Sequence, residues 1–443
     1  MKKTLSVLVI LLFVALFCNE QNLKAQEQAE ITAKDSAFIT RIKALPGVVD
    51  VEKMKVAGNW KGKYRISFLQ SVNHKDSTDG FFLQRIYLNH KDFDQPMVIV
   101  TEGYGAAYGE IPMYQTEVTG IVDGNQLLVE HRYFGTSVPE NLNWDHLTVA
   151  NAAADHHAII ETFDDLYDEQ WISTGISKGG QTVMFHKSLY PDDVDFSVPY
   201  VCPLNFGVED GRHEPYIAKN GSRKERKAIK EFQLRLLQQK DSLMPMFKNF
   251  IRENELDFRI PVEEVYDFCV LEYSFAFWQW MADVENIPEK DADNEAVFKH
   301  FMAVASPDYF NSGGDYLPFF VQAAREIGYY GYDTKDFEEY LSISTAENYL
   351  YHVFLPDSLH YEYEEKAMQK VQQYFEENDP RMIFIYGEYD PWTASGVEFK
   401  NKKNMMKVVK EGGTHATRIA NLPDEQKQLV IDRMNQWLEE SKK

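Results

Sequence analysis

The feature that most constrains the fold is a series of short, mainly apolar runs separated by longer amphipathic stretches. The runs are residues 97–100, 126–130, 171–174, 382–386 and, more weakly, 407–409. Strands buried on both faces of a sheet have this texture. The stretches with helical patterns are residues 145–167, 178–189, 361–376 and 423–440. Alternation of strand and helix predicts an α/β protein built on a parallel sheet.

Two parts of the chain depart from this alternation. Residues 63–70 and 81–88 alternate apolar with polar side chains around a turn-rich segment, which predicts an antiparallel meander within residues 49–89. From 207 to 356 the strand pattern stops and helical patterns dominate, as at 224–243 and 262–281. We therefore predict a core formed by residues 26–206 and 357–443. A mainly helical lid domain is inserted at 207–356.

A Gly-x-Ser-x-Gly motif, from Gly175 to Gly179, follows the apolar run that ends at residue 174. An amphipathic stretch follows it. A serine on a tight turn between strand and helix is the nucleophile of the α/β-hydrolase fold, and glycines let the backbone turn sharply there. A glycine-rich structural turn is the alternative. The flanking strand and helix favour Ser177 as a nucleophile in an α/β-hydrolase fold.

A serine nucleophile needs a histidine as its base and an acid that orients the histidine. In this fold the acid follows the serine in the chain, and the histidine follows the acid. The run 382–386 ends in a loop that contains Asp390, and the next run ends in a glycine-rich loop that contains His415. Glu388 shares the first loop and is the alternative acid. The sequence predicts a triad of Ser177, Asp390 and His415.

The oxyanion hole of this fold uses two backbone N–H groups, one after the nucleophile and one from an early strand loop. The first would be that of Lys178. The early loop is residues 101–105, with two glycines, and the N–H of Tyr104 is the second prediction. An ordinary glycine turn is the alternative for this loop.

Four motifs, at residues 130–135, 175–180, 387–392 and 413–415, resemble those of serine exopeptidases that include prolyl carboxypeptidase and dipeptidyl peptidase II. The length and the aromatic run at 272–279 are more similar to bacterial secreted tripeptidyl aminopeptidases. The resemblance implies the triad above, a helical lid, no metal or cofactor, and cleavage near peptide ends, often beside proline. An esterase or lipase, a carboxy-terminal prolyl exopeptidase and a non-catalytic binding protein are the alternatives.

The aromatic run also suggests how a peptide end is bound. Glu272 and Gln279 lie seven residues apart, on one face of a helix. A buried carboxylate needs a partner, and the ammonium group of a peptide substrate is the partner that we predict. A Lys or Arg of the lid is the alternative, and Glu102 and Glu209 are the next carboxylates to consider. Trp278 and Trp392 are the other predicted substrate-binding residues.

Composition limits the classes of partner and cofactor. The formal net charge is −23, and the chain has no Lys/Arg-rich run, which disfavours nucleic acid and anionic lipid surfaces. Peptide substrates are the expected partners, and the oligomeric state stays open. Cys202 and Cys269 are either disulfide-bonded or buried thiols. Neither they nor the pair His156 and His157 has metal-ligand spacing, so no metal or cofactor is predicted.

The first residues predict export. Lys2 and Lys3 precede an apolar stretch at 5–17 that is too short for a membrane span, and residues 1–25 have the organisation of a signal peptide. No later segment is apolar enough to span a bilayer. Lipid attachment at Cys18 is an alternative, but that processing requires a small residue before the cysteine, where Phe17 stands. We predict a periplasmic or extracellular protein.

Overall fold

The computed structural model describes residues 35–280 and 283–442, in which nine strands form one sheet. The predicted signal peptide and Cys18 lie outside the described residues. The strands are β1 (Val48–Lys53), β2 (Gly62–Ser71), β3 (Phe81–His90), β4 (Met97–Thr101), β5 (Asn125–Val129), β6 (Trp171–Ile176), β7 (Phe196–Tyr200), β8 (Met382–Gly387) and β9 (Met405–Lys410).

The sheet has an antiparallel part followed by a parallel part, in the order β1-β2-β3-β5-β4-β6-β7-β8-β9. The pairs from β1 to β5 are antiparallel, and those from β5 to β9 are parallel. The meander and the parallel runs are those that the sequence predicts. The fold is the predicted α/β-hydrolase fold, and the carboxyl ends of β4, β6, β8 and β9 meet at one edge.

One central strand was not predicted. β7 pairs with β6 and β8 in the middle of the sheet. Its sequence is FSVPY, in which Ser197 and Pro199 interrupt the apolar run. Proline normally argues against a central strand because it donates no hydrogen bond to the ladder. Burial on both faces of the sheet overrides that local preference.

Helices connect and cover the strands. They are α1 (35–43), α2 (Glu117–Val122), α3 (Val149–Asp164), α4 (Lys178–Leu189), α5 (His213–Ile217), α6 (Arg223–Gln238), α7 (Lys240–Glu253), α8 (Val262–Trp280), α9 (Asn294–Val304), α10 (Leu317–Gln322), α11 (Tyr349–Phe354), α12 (Glu365–Glu377) and α13 (Asp424–Glu440). Several boundaries differ from the prediction, and α3 is shorter than the predicted 145–167 at both ends. The helical pattern at 224–243 is divided between α6 and α7, and α12 begins four residues later than expected.

The two faces of the sheet are covered by different helices, as the alternation of β4 shows. Met97 and Ile99 pack in one apolar cluster with α3, and Val98 and Val100 in another with α13. Successive side chains of a strand point to opposite faces, so β4 contributes to both layers. The sheet is therefore buried on both sides, which explains its mainly apolar runs.

Residues 207–356 contain α5 to α11 and no strand among those described. Their core is α8, in which 13 residues are buried. A third apolar cluster joins α8 to α4 and α12, so this helical segment packs against the core of the protein. No helix within residues 35–280 and 283–442 has both the length and the apolar character needed to cross a membrane.

Candidate active site

Ser177 lies on the sharp turn between β6 and α4. Its backbone has φ 56° and ψ −121°, a strained conformation for a residue with a side chain. A Cβ atom on Gly175 would lie 2.4 Å from the carbonyl oxygen of Gly179, and one on Gly179 would lie 2.6 Å from that of Thr101. The glycines are thus required by the close approach of three backbone segments. This is the geometry of a nucleophile elbow.

His415 and Asp390 are hydrogen-bonded to each other. The distance from His415 Nδ1 to Asp390 Oδ2 is 2.7 Å, and Asp390 is fully buried. The second oxygen of Asp390 accepts the N–H of Trp392 at 3.2 Å. A carboxylate accepts only, so Nδ1 of His415 carries the proton and Nε2 is left as a base. Glu388 is exposed and accepts the N–H of Gly412, so Asp390 is the partner of His415.

Ser177 and His415 line the same cavity, which has a volume of about 720 Å³. The Ser177 hydroxyl has no hydrogen-bond partner in the part of the chain that the structure describes. In enzymes without bound substrate the bond between nucleophile and base is often long, and it shortens when substrate binds. The loop of His415 is fixed by helix α8, because the His415 N–H donates to the carbonyl oxygen of Gln279 at 2.9 Å.

Two backbone N–H groups near Ser177 are free to bind an oxyanion. The N–H of Tyr104 has no acceptor among the described residues. Lys178 begins α4, so its N–H has no partner within the helix. Nζ of Lys178 donates to the carbonyl oxygen of Gly103 at 2.8 Å, and burial lowers the pKa of this amino group well below its usual value. That carbonyl shares a planar trans peptide with the Tyr104 N–H, so Lys178 fixes the direction of that N–H.

The far wall of the cavity is aromatic and comes from the helical segment. Its rings are those of Tyr309, Tyr316, Phe319, Phe320, Tyr329 and Tyr330. Gln279 and Trp392 line the cavity as well. Trp278 does not: it packs edge-on against Tyr389, with ring centroids 5.1 Å apart, and lines a separate cavity. Trp278 and Gln279 project from different faces of α8. The structure therefore does not place Trp278 in the cavity of Ser177, contrary to the prediction.

Trp280 lines the cavity and was missed in the sequence. The residue is 58% exposed, and its ring meets the His415 ring edge-on, with centroids 5.2 Å apart. It lies one residue beyond Gln279, at the end of the aromatic run. Packing in the apolar core does not explain a tryptophan at this exposed position. The exposure is evident from the structure and not from the sequence.

Glu272 also lines the cavity, and no cation neutralises it. It is 6% exposed, and Oε2 accepts hydrogen bonds from the hydroxyls of Tyr330 and Tyr332, both at 2.8 Å. Oε1 has no partner, and no Lys or Arg among the described residues pairs with Glu272. Burial raises the pKa of Glu272 to about 7.

The two other carboxylates considered as ammonium sites are differently placed. Glu102 lines the cavity, accepts hydrogen bonds from the Tyr108 hydroxyl and the Gly103 N–H, and has a pKa raised by burial to about 7. Glu209 does not line the cavity and accepts the N–H of Asn348. Glu272 lines the cavity from the helical segment, and its Oε1 has no hydrogen-bond partner among the described residues. Asp308 of the same segment also lines the cavity but is exposed.

No group of three His, Cys, Asp or Glu side chains in the described ranges could hold a metal ion. Cys202 and Cys269 are both buried free thiols. Nδ1 of His156 donates to the carbonyl oxygen of Ala152 in its own helix at 2.7 Å. His157 contacts Asp193 instead, so the two histidines do not form a shared site.

The sequence model of the PS-10 peptidase S37 family matches residues 30–441. The chain is 28% identical over 429 residues to a prolyl tri/tetrapeptidyl aminopeptidase from Streptomyces mobaraensis. The aligned region covers 93% of this chain and 87% of the relative. Among solved structures, it is similar to a proline iminopeptidase from Mycobacterium smegmatis, with 12% identity, a TM-score of 0.38 and coverage of 81% and 97%. It is also similar to an epoxide hydrolase A from Mycobacterium thermoresistibile, with 14% identity, a TM-score of 0.36 and coverage of 80% and 95%.

Proposed function

The chain belongs to the PS-10 peptidase S37 family and is a serine peptidase, and from this premise we propose that it releases short peptides, chiefly tripeptides, from free amino termini. The observation that carries the proposal is Glu272, a buried carboxylate that lines the cavity of Ser177 and pairs with no Lys or Arg among the described residues. We also propose that residues 1–25 direct the protein out of the cytoplasm.

Ser177, His415 and Asp390 perform the chemistry in this proposal. Nε2 of His415 takes the proton of the Ser177 hydroxyl while its oxygen attacks the peptide carbonyl. The N–H groups of Tyr104 and Lys178 bind the oxygen that becomes negative. His415 then gives the proton to the departing amine and the C–N bond breaks, which leaves an acyl-enzyme. Water, activated by His415, hydrolyses that ester.

Glu272 selects the free amino terminus. An isolated charge in an apolar cavity is unfavourable unless an opposite charge pairs with it. Two tyrosine hydroxyls hold one oxygen of Glu272 and leave the other for a ligand. A peptide ammonium would complete the site with a charge-assisted hydrogen bond. Substrates without an amino terminus lack that bond, which disfavours an esterase or lipase.

The preference for proline and the number of residues released rest on different arguments. Proline rings bind readily between aromatic side chains, and Trp392, Tyr329 and Tyr330 line the cavity. The release of three residues follows the name of the Streptomyces mobaraensis relative. It also agrees with the resemblance of the aromatic run to tripeptidyl aminopeptidases.

Replacement of Glu272 by glutamine tests the ammonium site. The amide oxygen of the new side chain would still accept hydrogen bonds from Tyr330 and Tyr332, but the negative charge would be lost. We expect kcat/KM on free-amine peptides to fall by about ten- to a hundredfold, corresponding to about 1.5–3 kcal/mol. Amino-blocked ester substrates should be affected much less. The measurement is the ratio of the two specificity constants in the wild type and in E272Q.

Glu326→Gln is the matched control. Glu326 is also 6% exposed with a pKa raised by burial to about 7, but it accepts the N–H of Val149 at 2.7 Å and does not line the cavity. Its replacement should leave the ratio unchanged. An unchanged ratio in E272Q as well would reject the ammonium site.

The same site predicts a pH dependence. The pKa of Glu272 is raised to about 7, so its carboxylate is present above that pH and is protonated below it. The peptide amino group loses its charge above about 8. We therefore expect kcat/KM on free-amine peptides to fall below about 7 and above about 8. The alkaline limb should be absent in E272Q, because only the pairing with Glu272 requires a charged amino group on the substrate. Coincident alkaline limbs for the two enzymes would contradict the pairing.

A further inference from the structure

Arg418 is a cation in the active-site cavity without a carboxylate partner. Its side chain lines the cavity together with Ser177 and His415. Nη1 donates to the backbone carbonyls of His415 and Thr417, at 3.0 and 2.7 Å. Nε and Nη2 have no acceptor within the described ranges, and no carboxylate there lies within 4.0 Å of the guanidinium. Three N–H donors therefore remain for a ligand.

The surroundings of Arg418 hold it in place without neutralising it. The guanidinium carbon lies 5.7 Å from the centroid of the Tyr200 ring. The Tyr200 hydroxyl is bonded to Glu117, whose oxygens also accept the N–H groups of Ile419 and Ala420. Glu117 is thus engaged by other donors. Burial lowers the pKa of Arg418, yet a guanidinium stays charged in proteins.

Arg418 and Glu272 reach the cavity from different segments of the chain. Arg418 belongs to the loop of the core that carries His415, and the carboxylate charges acting on it are those of Glu117 and Asp390. Glu272 belongs to the helical segment, and the carboxylate acting on it is Glu214. The helical segment thus contributes Glu272 and Asp308 to the cavity, and the core contributes Arg418, Lys178 and Glu102, of which Glu102 is already bonded to the Tyr108 hydroxyl and the Gly103 N–H.

The reaction decides which part of a substrate meets each charge. In the proposed function, the amino-terminal part carries the ammonium to Glu272 and remains on Ser177 as the acyl group. The departing amine receives its proton from Nε2 of His415, so the leaving part lies beside His415. Arg418 is three residues further along the same loop and is bonded to the backbone of His415. The leaving part is therefore the part that can reach Arg418.

We propose that Arg418 binds a carboxylate on the leaving part of the substrate, so that the enzyme prefers short peptides whose free carboxyl terminus follows the cut bond within one or two residues. This inference rests on the proposed function. A short zwitterionic peptide carries an ammonium for Glu272 and a carboxylate for Arg418. An acidic side chain just after the cut offers the same chemistry from a second source.

Three tetrapeptides with a free amino terminus and proline as the third residue test this. The first ends in alanine with a free carboxylate, the second in alanine amide, and the third in glutamate amide. For the wild type we expect kcat/KM on the free acid to exceed that on the alanine amide by about tenfold or more. Arg418→Gln should reduce this ratio to near one. The glutamate amide shows whether a side-chain carboxylate substitutes for the terminal one.

Arg433→Gln is the control, because Arg433 also donates to a backbone carbonyl and lies over an aromatic ring, but on α13 outside the cavity. It should keep the wild-type ratio. Equal rates on acid and amide in the wild type, or an unchanged ratio in R418Q, would overturn the inference. If R418Q fails to fold, the wild-type comparison alone still decides. Failure to cut any of the three peptides would instead reject the proposed function.

Discussion

Ser177→Ala is expected to lower turnover by about 10⁴-fold or more without loss of folding. The reason is that no acyl-enzyme can form without the hydroxyl. The Ser177 hydroxyl has no hydrogen-bond partner in the described chain, so its removal strands no polar group. Alanine has the same Cβ atom, and the strained turn is unchanged. The measurements are steady-state kinetics on a free-amine peptide and thermal unfolding of both proteins.

Ser188→Ala is the control for removal of a serine hydroxyl. Ser188 lies on the same helix, α4, and its hydroxyl donates to the carbonyl oxygen of Phe185 at 2.9 Å, away from the cavity. It should retain wild-type kinetics. Peptidase activity of S177A that matches the wild type would contradict the assignment of the nucleophile.

Asp390→Asn is expected to lower kcat by about 10⁴-fold, an effect of the size found when a triad acid is made neutral. Asparagine can donate to Nδ1 of His415, which favours the tautomer with its proton on Nε2. That tautomer cannot accept the proton of Ser177. We expect kcat to be low at both neutral and high pH. The impairment comes from the His415 tautomer with its proton on Nε2, and not from the lost negative charge of Asp390.

Glu388→Gln is the matched control for Asp390. Glu388 lies in the same loop, but it is exposed and binds the N–H of Gly412, which a glutamine oxygen can also accept. We expect near wild-type activity. Loss of activity in E388Q with retention in D390N would move the role of the acid to Glu388.

The sequence could predict most of the fold because a strand buried on both faces has an uninterrupted apolar pattern. β4 and β8 have this pattern, and β5 and β6 have it in part, at residues 127–129 and 171–172, so all four were predicted. β7 has a serine and a proline in five residues, so its position in the sheet depends on pairing partners about 25 and 185 residues away. Local pattern contains no information about such pairing. The division between α6 and α7 was missed because both helices have helical sequence patterns and follow one another directly.

The elbow of Ser177 could be read from local glycines, and His415 and Asp390 from loops that follow strands. The environment of Glu272 could not. Its two hydroxyl partners, Tyr330 and Tyr332, are 58 and 60 residues further along the chain. The absence of a cation there is a property of packing. Arg418 was overlooked because an arginine after a histidine has no sequence signature, and only the fold places it in the cavity.

The central claim is that this peptidase acts from a free amino terminus through Ser177. The most direct measurement is digestion of one proline-containing peptide in two forms, with a free and with an acetylated amino terminus, followed by mass spectrometry over time. The account predicts that wild type releases a single short amino-terminal fragment, three residues long, from the free peptide, and that S177A releases none. The acetylated peptide should be cut far more slowly. Equal cleavage of both forms, or fragments released from the carboxyl terminus, would contradict the account.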